Sequence, residues 1–343
     1  MKKLSWAAAV LAFAVLAGAG YAPAIAAGGT PEKLCTFDVK ELPEVSGITP
    51  SIRHKNVVWV HNDSSGGAVI YALDLSSCKI VSRLTLADMP ARDIEAIASG
   101  RDAAGNPVLW VGDFGDNQES WPFVRIYQVP EPKTLTDQTV PVRAWRFAYP
   151  DGPHNAETLL ADPRKPQLWV VTKALATGVT YRLPALPTIA LGEVWKEPLV
   201  AQQVGETDGL ISDGAVSGDA SRFVLRDYLS ARIYSGLPPG KPIVSVELPT
   251  EQQGEAVTWA RDGRALLVAG EREGTLWSVP LPPEAWTKSA QDAQASANSD
   301  PGSTFDENGS ESESPLSFGA LIGVIALGLL IVVGLAGARF FRR

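Results

Sequence analysis

Cysteine and histidine are scarce in this sequence, which has two cysteines and three histidines among 343 residues. Such numbers exclude a metal site built from cysteine and histidine ligands. In an exported protein, the expected use of two cysteines is one disulfide, here between Cys35 and Cys78. It would tie the segment Lys33–Glu41 to the first of the repeats described below and add roughly 3–4 kcal/mol of stability through chain entropy. Two buried free thiols are the alternative.

Positive charge is also in short supply. The chain has 30 Lys and Arg against 38 Asp and Glu, a formal net charge of −8. Nucleic-acid binding requires a clustered basic surface, so this balance argues against it. The common catalytic signatures are absent as well, because the sequence contains no H-E-x-x-H, G-x-S-x-G, P-loop or Rossmann motif. No catalytic residue is therefore assigned.

Five self-similar units run through the chain, each with a short strand that opens on a small or acidic residue, a polar turn and a second, apolar strand. These hairpins are Glu44–Asp63, Arg92–Asn117, Asn155–Lys173, Asp213–Tyr228 and Gly254–Glu271. Most units add a third strand with an aromatic residue. The repeats predict an all-β fold, a five-bladed β-propeller, and a six-bladed ring is the alternative. The segment Gly192–Val200 is predicted as the outer strand of the third blade. The fifth unit lacks an outer strand, which the N-terminal strand around Cys35–Val39 can supply.

Propeller geometry brings the starts of the first strands and the ends of the second strands to one channel opening, which we call the acidic mouth. The strand-opening residues, predicted as metal ligands, are Glu95, Glu157, Asp213 and Glu255. The residues at strand ends and on the rim, predicted to bind a ligand, are His61, Asp63, Asp113, Asp116, Asn117, His154, Lys173, Arg226 and Glu271. Clustered carboxylates repel one another unless a cation joins them, and oxygen ligands suit calcium. The alternative is that they cap backbone N–H groups or pair with Lys and Arg of the next blade.

Both ends of the chain carry patterns typical of membrane targeting. Residues 1–27 read as a cleaved signal peptide, with two lysines, an apolar run and an Ala-x-Ala site. After the propeller (28–288), residues 289–314 read as an acidic disordered stalk. A transmembrane helix is predicted over 315–338, and the basic tail 339–343 is expected to be cytoplasmic. The expected localisation is the plasma membrane, with a single pass and the propeller outside.

The segments WVHND, DIEAIA, GDFGDN, YPDGPHNAE and QGEA together resemble a family of exported bacterial β-propellers to which no single activity is attached. More distantly, the acidic inner strands are similar to those of calcium-containing phytase-like and lactonase-type propellers. That resemblance implies a metal in the channel and hydrolysis of phosphate esters or lactones, although no catalytic motif of those families aligns here. The expected function is a cell-surface module that binds an extracellular ligand or protein through the acidic mouth. A metal-dependent extracytoplasmic hydrolase is the alternative.

Overall fold

The computed structural model describes residues 29–63, 67–89 and 91–298, which form mainly short strands. In chain order these are β1 (Glu32–Thr36), β2 (Val45–Pro50), β3 (Val57–Asn62), β4 (Val69–Asp74), β5 (Ile80–Leu86), β6 (Ile94–Arg101), β7 (Pro107–Asp113), β8 (Val124–Pro130), β9 (Gln138–Val140), β10 (Arg143–Ala148), β11 (Ala156–Ala161), β12 (Leu168–Thr172), β13 (Thr177–Arg182), β14 (Val194–Val200), β15 (Gln202–Asp208), β16 (Asp213–Val216), β17 (Arg222–Arg226), β18 (Ser230–Ser235), β19 (Pro242–Glu247), β20 (Gly254–Trp259), β21 (Ala265–Gly270) and β22 (Thr275–Pro280). A 3-10 turn at Pro283–Ala285 leads into one α-helix, α1 (Lys288–Asn298).

The strands form five sheets, which are the blades of a propeller. From the channel outwards, blade 1 is β2-β3-β4-β5-β9, blade 2 is β6-β7-β8-β10-β14, blade 3 is β11-β12-β13-β15, blade 4 is β16-β17-β18-β19 and blade 5 is β20-β21-β22-β1. The inner strand of each blade contacts the inner strands of its two neighbours, and β20 meets β2 to close the ring. The five-bladed prediction is confirmed. So is the prediction that the N-terminal strand completes the last blade.

The hydrophobic core is divided among the junctions between blades. The described residues form five clusters of buried apolar side chains, and each cluster draws its members from two neighbouring blades. Trp59 of β3, for example, packs at the junction of blades 1 and 2, and Trp169 of β12 packs at the junction of blades 3 and 4. The inner strands are therefore buried on both faces. This is why they lack the alternation of a half-exposed strand.

Two segments differ from their prediction. Gly192–Val200 was expected to be the outer strand of blade 3, but β14 pairs in parallel with β10 of blade 2, and β15 takes the outer position in blade 3. The crossing segment before β14 is held by Trp145 Nε1, which donates to the Pro187 carbonyl at 2.9 Å, and by Arg143 Nε, which donates to the Ile189 carbonyl at 2.9 Å. These side chains of β10 attach the segment to blade 2.

The second difference concerns the predicted stalk, whose first ten residues, 289–298, belong to α1. The helix is capped at its start. Thr287 Oγ1 accepts the Ala290 N–H at 3.3 Å, and Asp219 Oδ2 accepts the Ser289 N–H at 2.9 Å. Asp219 lies on the turn between β16 and β17, so the capping bonds attach the helix to blade 4.

Cys35 and Cys78 form the predicted disulfide, with their Cα atoms 5.7 Å apart. Cys35 lies in β1, the outer strand of blade 5, and Cys78 lies between β4 and β5 of blade 1. The bridge therefore crosses the junction at which the ring closes.

Among residues 29–63, 67–89 and 91–298, no helix is long and apolar enough to cross a membrane. The predicted signal peptide (1–27), the rest of the stalk (299–314), the transmembrane segment (315–338) and the tail (339–343) lie outside the described residues.

Candidate metal and ligand site at the acidic mouth

A β-bulge marks the start of the inner strand in four of the five blades. The pairing register of inner and second strands shifts by one residue there, and the extra residues are Ser46, Glu95, Glu157 and Glu255. A bulge redirects the extra side chain, and bulges are frequent beside functional sites. In blade 4 the pairing is regular, and Asp213 lies opposite Arg226. Three glutamates at equivalent positions are thus brought to the same end of the channel.

Among the described residues, three acidic side chains lie close enough to share one ion, Asp63, Asp93 and Glu95, which we call the acidic triad. One carboxylate oxygen from each residue lies within 4.8 Å of the other two. Asp63 follows β3 of blade 1, and Asp93 immediately precedes β6 of blade 2. Gly115 passes directly over two members of the triad, because a Cβ atom there would collide with Glu95 Oε1 and lie 2.8 Å from Asp93 Oδ2. A larger residue at 115 would displace the carboxylates.

The triad is costly to ionise in the absence of a cation. Burial and the neighbouring Asp93 carboxylate raise the pKa of Asp63 to about 8. Burial, together with the charges of Glu157 and Asp63, raises the pKa of Glu95 well above its usual value, and burial likewise raises the pKa of Asp93. Within the described part of the chain, no triad member forms an ion pair with a basic side chain. The triad therefore holds protons at neutral pH or requires a cation.

Glu157 has a basic partner of its own. Lys173 Nζ lies 2.6 Å from Glu157 Oε1 and 5.2 Å from the centre of the Tyr228 ring. Burial raises the pKa of Glu157 to about 7 even though the lysine opposes the rise. Burial disfavours the charged form of Lys173, but Glu157 and Tyr228 outweigh it and raise the pKa of the ammonium group. This pair brings a positive charge to the acidic mouth, and Arg272 Nε, 3.9 Å from Glu271 Oε2, brings a second.

Glu255 and Glu271 share a single amide donor. Gln253 Nε2 donates to Glu255 Oε1 at 2.7 Å and to Glu271 Oε1 at 3.2 Å. Burial and the charge of Glu255 raise the pKa of Glu271 to about 7. The charge of Glu255 also contributes to the raised pKa values of Glu95 and Asp63. Blades 2 and 5 are thus coupled electrostatically through the mouth.

Asp113 and Asp116 hold the backbone of the loops that carry the site. Asp113 is fully buried and accepts the backbone N–H groups of Arg92 and Asp93, both at 2.9 Å, while Arg125 Nη1 lies 3.1 Å from its other oxygen. It therefore fixes the backbone that carries Asp93. Asp116 caps the next turn, where its Oδ2 accepts the N–H of Trp121 at 2.6 Å. The structure places both residues in the loop framework, and their predicted contact with a ligand stays a prediction.

Asp213 and Arg226 join blade 4 to blade 5. Asp213 Oδ2 accepts the Val257 N–H at 2.7 Å, and burial raises the pKa of this carboxyl well above its usual value. Arg226 is fully buried, donates to the Ala256 carbonyl at 2.9 Å and pairs with Glu251 at 3.2 Å. The structure therefore does not group Asp213 with the triad, and it does not present Arg226 to a ligand.

The predicted histidines differ in environment. His61 is buried, and burial lowers its pKa to about 4, so the ring is neutral. Its Nε2 lies against Gly47, where a Cβ atom would be only 2.5 Å away, and has no hydrogen-bond partner among the described residues. His154 lies on the rim with Nε2 3.2 Å from Asp151 Oδ1 and 3.1 Å from Tyr181 Oη. Also on the rim, Asn117 Oδ1 accepts a bond from Asn155 Nδ2 at 3.1 Å.

Comparison with known proteins leaves function open. No protein-family model matches the chain, and no curated protein matches it. Among solved structures, the chain is similar to the PQQ-bound form of aldose sugar dehydrogenase from Streptomyces coelicolor, with 10% identity, a TM-score of 0.43 and coverage of 76% of this chain and 100% of that one. It is also similar to the β-propeller domain of Myceliophteria thermophila Cps50 (Swd1), with 10% identity, a TM-score of 0.38 and coverage of 69% and 84%. Identities and TM-scores this low assign no activity and no cofactor to this chain.

Asp93 and Gln253 are mouth residues that the sequence alone did not indicate. Each lies two residues before a bulged glutamate, Asp93 before Glu95 and Gln253 before Glu255. That spacing is visible in the sequence. The spacing indicates a place at the mouth only when the bulges at Glu95 and Glu255 are known, because these bulges fix which end of the channel the two strand starts line.

Proposed function

We propose that this chain is a ligand-binding propeller whose acidic triad holds a hard divalent cation, for which calcium is the best fit. The observation that carries the proposal is the spacing of the triad oxygens, within 4.8 Å of one another. Calcium takes roughly six to eight oxygen ligands at about 2.3–2.6 Å, so oxygens on opposite sides of one ion lie about 5 Å apart. Three carboxylates at this spacing can therefore contact one ion and leave positions for other oxygens.

The remaining mouth residues suit a ligand that docks over the cation. Lys173 supplies a positive charge beside Glu157, and Glu271 and Asn117 offer oxygen acceptors at the rim. We propose that oxygens of the ligand complete the coordination of the ion. The targeting patterns at the two ends of the sequence support display of the propeller outside the cell on a single membrane anchor.

Calcium is expected to raise the melting temperature of the propeller. At a calcium concentration 100-fold above the dissociation constant, the stabilisation is about 2.7 kcal/mol, or roughly 5–10 °C for a domain of this size. The gain should disappear in chelator and in the double variant Asp93→Asn/Glu95→Gln. The matched control is Glu197→Gln/Glu206→Gln, which removes two exposed carboxylates from the outer strands β14 and β15 and should keep the full gain.

The contrary result would be one melting temperature for the wild-type protein in calcium and in chelator. The carboxylates would then serve only as caps and ion-pair partners, and the function would lie in metal-free ligand binding.

Calcium binding is also expected to release protons, because calcium coordinates only the ionised carboxylates. In the metal-free protein, the raised pKa values of Asp63 (about 8) and Glu157 (about 7) mean that the folded state holds protons that the unfolded chain has lost. Stability of the metal-free protein should therefore fall as pH rises from about 4 to about 8. Calorimetry in two buffers of different ionisation enthalpy should show at least about one proton released per calcium at pH 7, because the pKa of Glu95 is raised as well as that of Asp63. Calcium binding without proton release at that pH would place the ion away from the triad.

A metal-dependent hydrolase is the second candidate, and the rim histidine favours it. Asp151 and Tyr181 orient the His154 ring at the edge of the mouth, as an acid–base group must be oriented. A cation in the triad would supply Lewis acidity. Calcium-dependent turnover of an ester, lactone or phosphate-ester panel, lost in His154→Gln, would favour the hydrolase over the binding module.

A further inference from the structure

The channel has a second opening on the face opposite the acidic mouth, where the inner strands end. A cavity of about 490 Å³ lies there, and we call it the basic cavity. All five inner strands contribute to its walls, through their last residues or those that follow, and the start of α1 covers one side. Its size is within the range of small-molecule pockets, roughly 300–1,000 Å³.

Charge on this face is opposite in sign to that of the mouth. The turns and the helix start that form the face are residues 51–56, 101–106, 162–167, 217–222, 260–264 and 287–289. They contain nine Lys and Arg and four Asp or Glu. The whole chain carries a net charge of −8, so this is a local excess of positive charge. Such a patch attracts anions independently of the net charge of the chain.

Two arginines line the basic cavity and are oriented by backbone carbonyls. Arg261 Nε donates to the Lys55 carbonyl at 3.2 Å, and its Nη2 donates to the Ser51 carbonyl at 2.6 Å. Arg101 Nη1 donates to the Gly105 carbonyl at 2.9 Å. Within residues 29–63, 67–89 and 91–298, neither guanidinium forms an ion pair with a carboxylate. Because a guanidinium has five N–H donors, both retain donors for a ligand.

Asp219 also lines the cavity, but its carboxylate is already bound within the protein. Oδ1 accepts the Ser221 N–H at 2.9 Å and the Ser217 hydroxyl at 2.8 Å, and Oδ2 accepts the Ser289 N–H at 2.9 Å. Burial opposes ionisation, but these hydrogen bonds outweigh it and lower the pKa of Asp219. The Ser289 N–H at the start of α1 is therefore occupied, as are the N–H groups of Lys288, which donates to Ser221 Oγ at 2.8 Å, and of Ala290, which donates to Thr287 Oγ1 at 3.3 Å. An incoming anion would therefore depend on the two arginines.

The geometry points to a site for a small organic anion at the basic cavity, separate from the acidic mouth. Its phosphate or carboxylate head would contact Arg101 and Arg261, since guanidinium groups form paired hydrogen bonds with such oxyanions. Its apolar body would lie against Pro50, Val216 and Trp259, which line the same space. The cavity is therefore matched to an anion with a carbon skeleton, and a bare inorganic ion would leave the apolar wall uncovered.

The site can be tested by calorimetric titration of the folded protein with phenyl phosphate, benzoate and inorganic phosphate at fixed ionic strength. Phenyl phosphate or benzoate should bind saturably, more tightly than inorganic phosphate, and the tighter of the two identifies the head group. Arg101→Gln and Arg261→Gln should each weaken binding about tenfold, the usual effect of one charge-assisted hydrogen bond. The control is Arg264→Gln, on the same turn as Arg261 but stacked on Trp286, and it should bind as the wild type does.

Three checks keep the result decisive. Benzyl alcohol, which has the apolar body without the charge, should show no dependence on either arginine. Binding of the organic anion should be unchanged by calcium or chelator. The anion site at the basic cavity and the calcium site at the acidic mouth can therefore be refuted independently of each other. If Arg261→Gln lowers the melting temperature, the test rests on the anion affinity of Arg101→Gln. Among the described residues, the one bond of the Arg101 side chain is to the carbonyl of an exposed turn, so its loss should leave the fold intact. Equal binding by the wild type and Arg101→Gln, or no saturable binding of either organic anion, would overturn the proposal.

Discussion

Replacing Arg226 with methionine is expected to destabilise the propeller by about 3–5 kcal/mol, the usual result of breaking a buried ion pair on one side. The side chains of Arg226 and Glu251 are both inaccessible to solvent. Oε1 of Glu251 has no hydrogen-bond partner among the described residues, so the arginine bond at Oε2 is its main compensation. The loss would also leave the Ala256 carbonyl without the guanidinium donor. Urea unfolding followed by circular dichroism would measure the change.

Two further variants show whether the effect comes from the unpaired charge. Arg226→Met/Glu251→Met removes both charges and should recover much of the loss, because an apolar pair of similar volume is often as stable as the ion pair. Arg164→Met breaks the pair with Asp162, in which the arginine is largely exposed, and should cost less than about 1 kcal/mol. Equal destabilisation by Arg226→Met and Arg164→Met would contradict this account of the blade 4–blade 5 junction.

Loss of the Cys35–Cys78 disulfide is expected to cost about 4 kcal/mol at a sequence separation of 43 residues. The protein should then open locally before it unfolds as a whole, because the bridge spans the junction between blades 5 and 1. Hydrogen exchange of the Cys35→Ala/Cys78→Ala variant should show early loss of protection in β1 and β22. The strands of blade 3, on the far side of the ring, should exchange as they do in the wild type.

Reduction of the wild-type protein is the companion measurement and should reproduce the exchange pattern of the double variant. A uniform loss of protection around the ring would mean that the bridge stabilises the whole propeller and has no special role at the closing junction.

The ring itself could be predicted from the sequence because its signals are local. Each hairpin combines two apolar runs with a polar turn, and five copies of that pattern give the blade count. The strand that closes the ring could be predicted because the fifth unit has no outer strand of its own. The segment Cys35–Val39 lies before the first unit and belongs to none of the five. The disulfide followed from there being one possible pair.

Other features depend on contacts that local pattern does not encode. β14 joins blade 2 because Trp145 and Arg143 bond to carbonyls more than forty residues further along the chain. Helix α1 forms in a stretch of stalk-like composition because Asp219 and Thr287 cap it. At the mouth, the sequence placed eight acidic residues around one opening, but the bulges and the hydrogen bonds decide their roles. Glu95 joins the triad, whereas Asp213 is turned into the backbone of blade 5.

The position of β1 has a consequence for the order of events as the chain is made. A protein synthesised from its N-terminus produces β1 first, and its pairing partner β22 appears only after all the other strands. Early oxidation of Cys35 and Cys78 would hold β1 beside blade 1 during that interval. When blade 5 docks against blade 1, its missing strand would already be in place. The slow search of a long loop for its partner would then be replaced by a short local step.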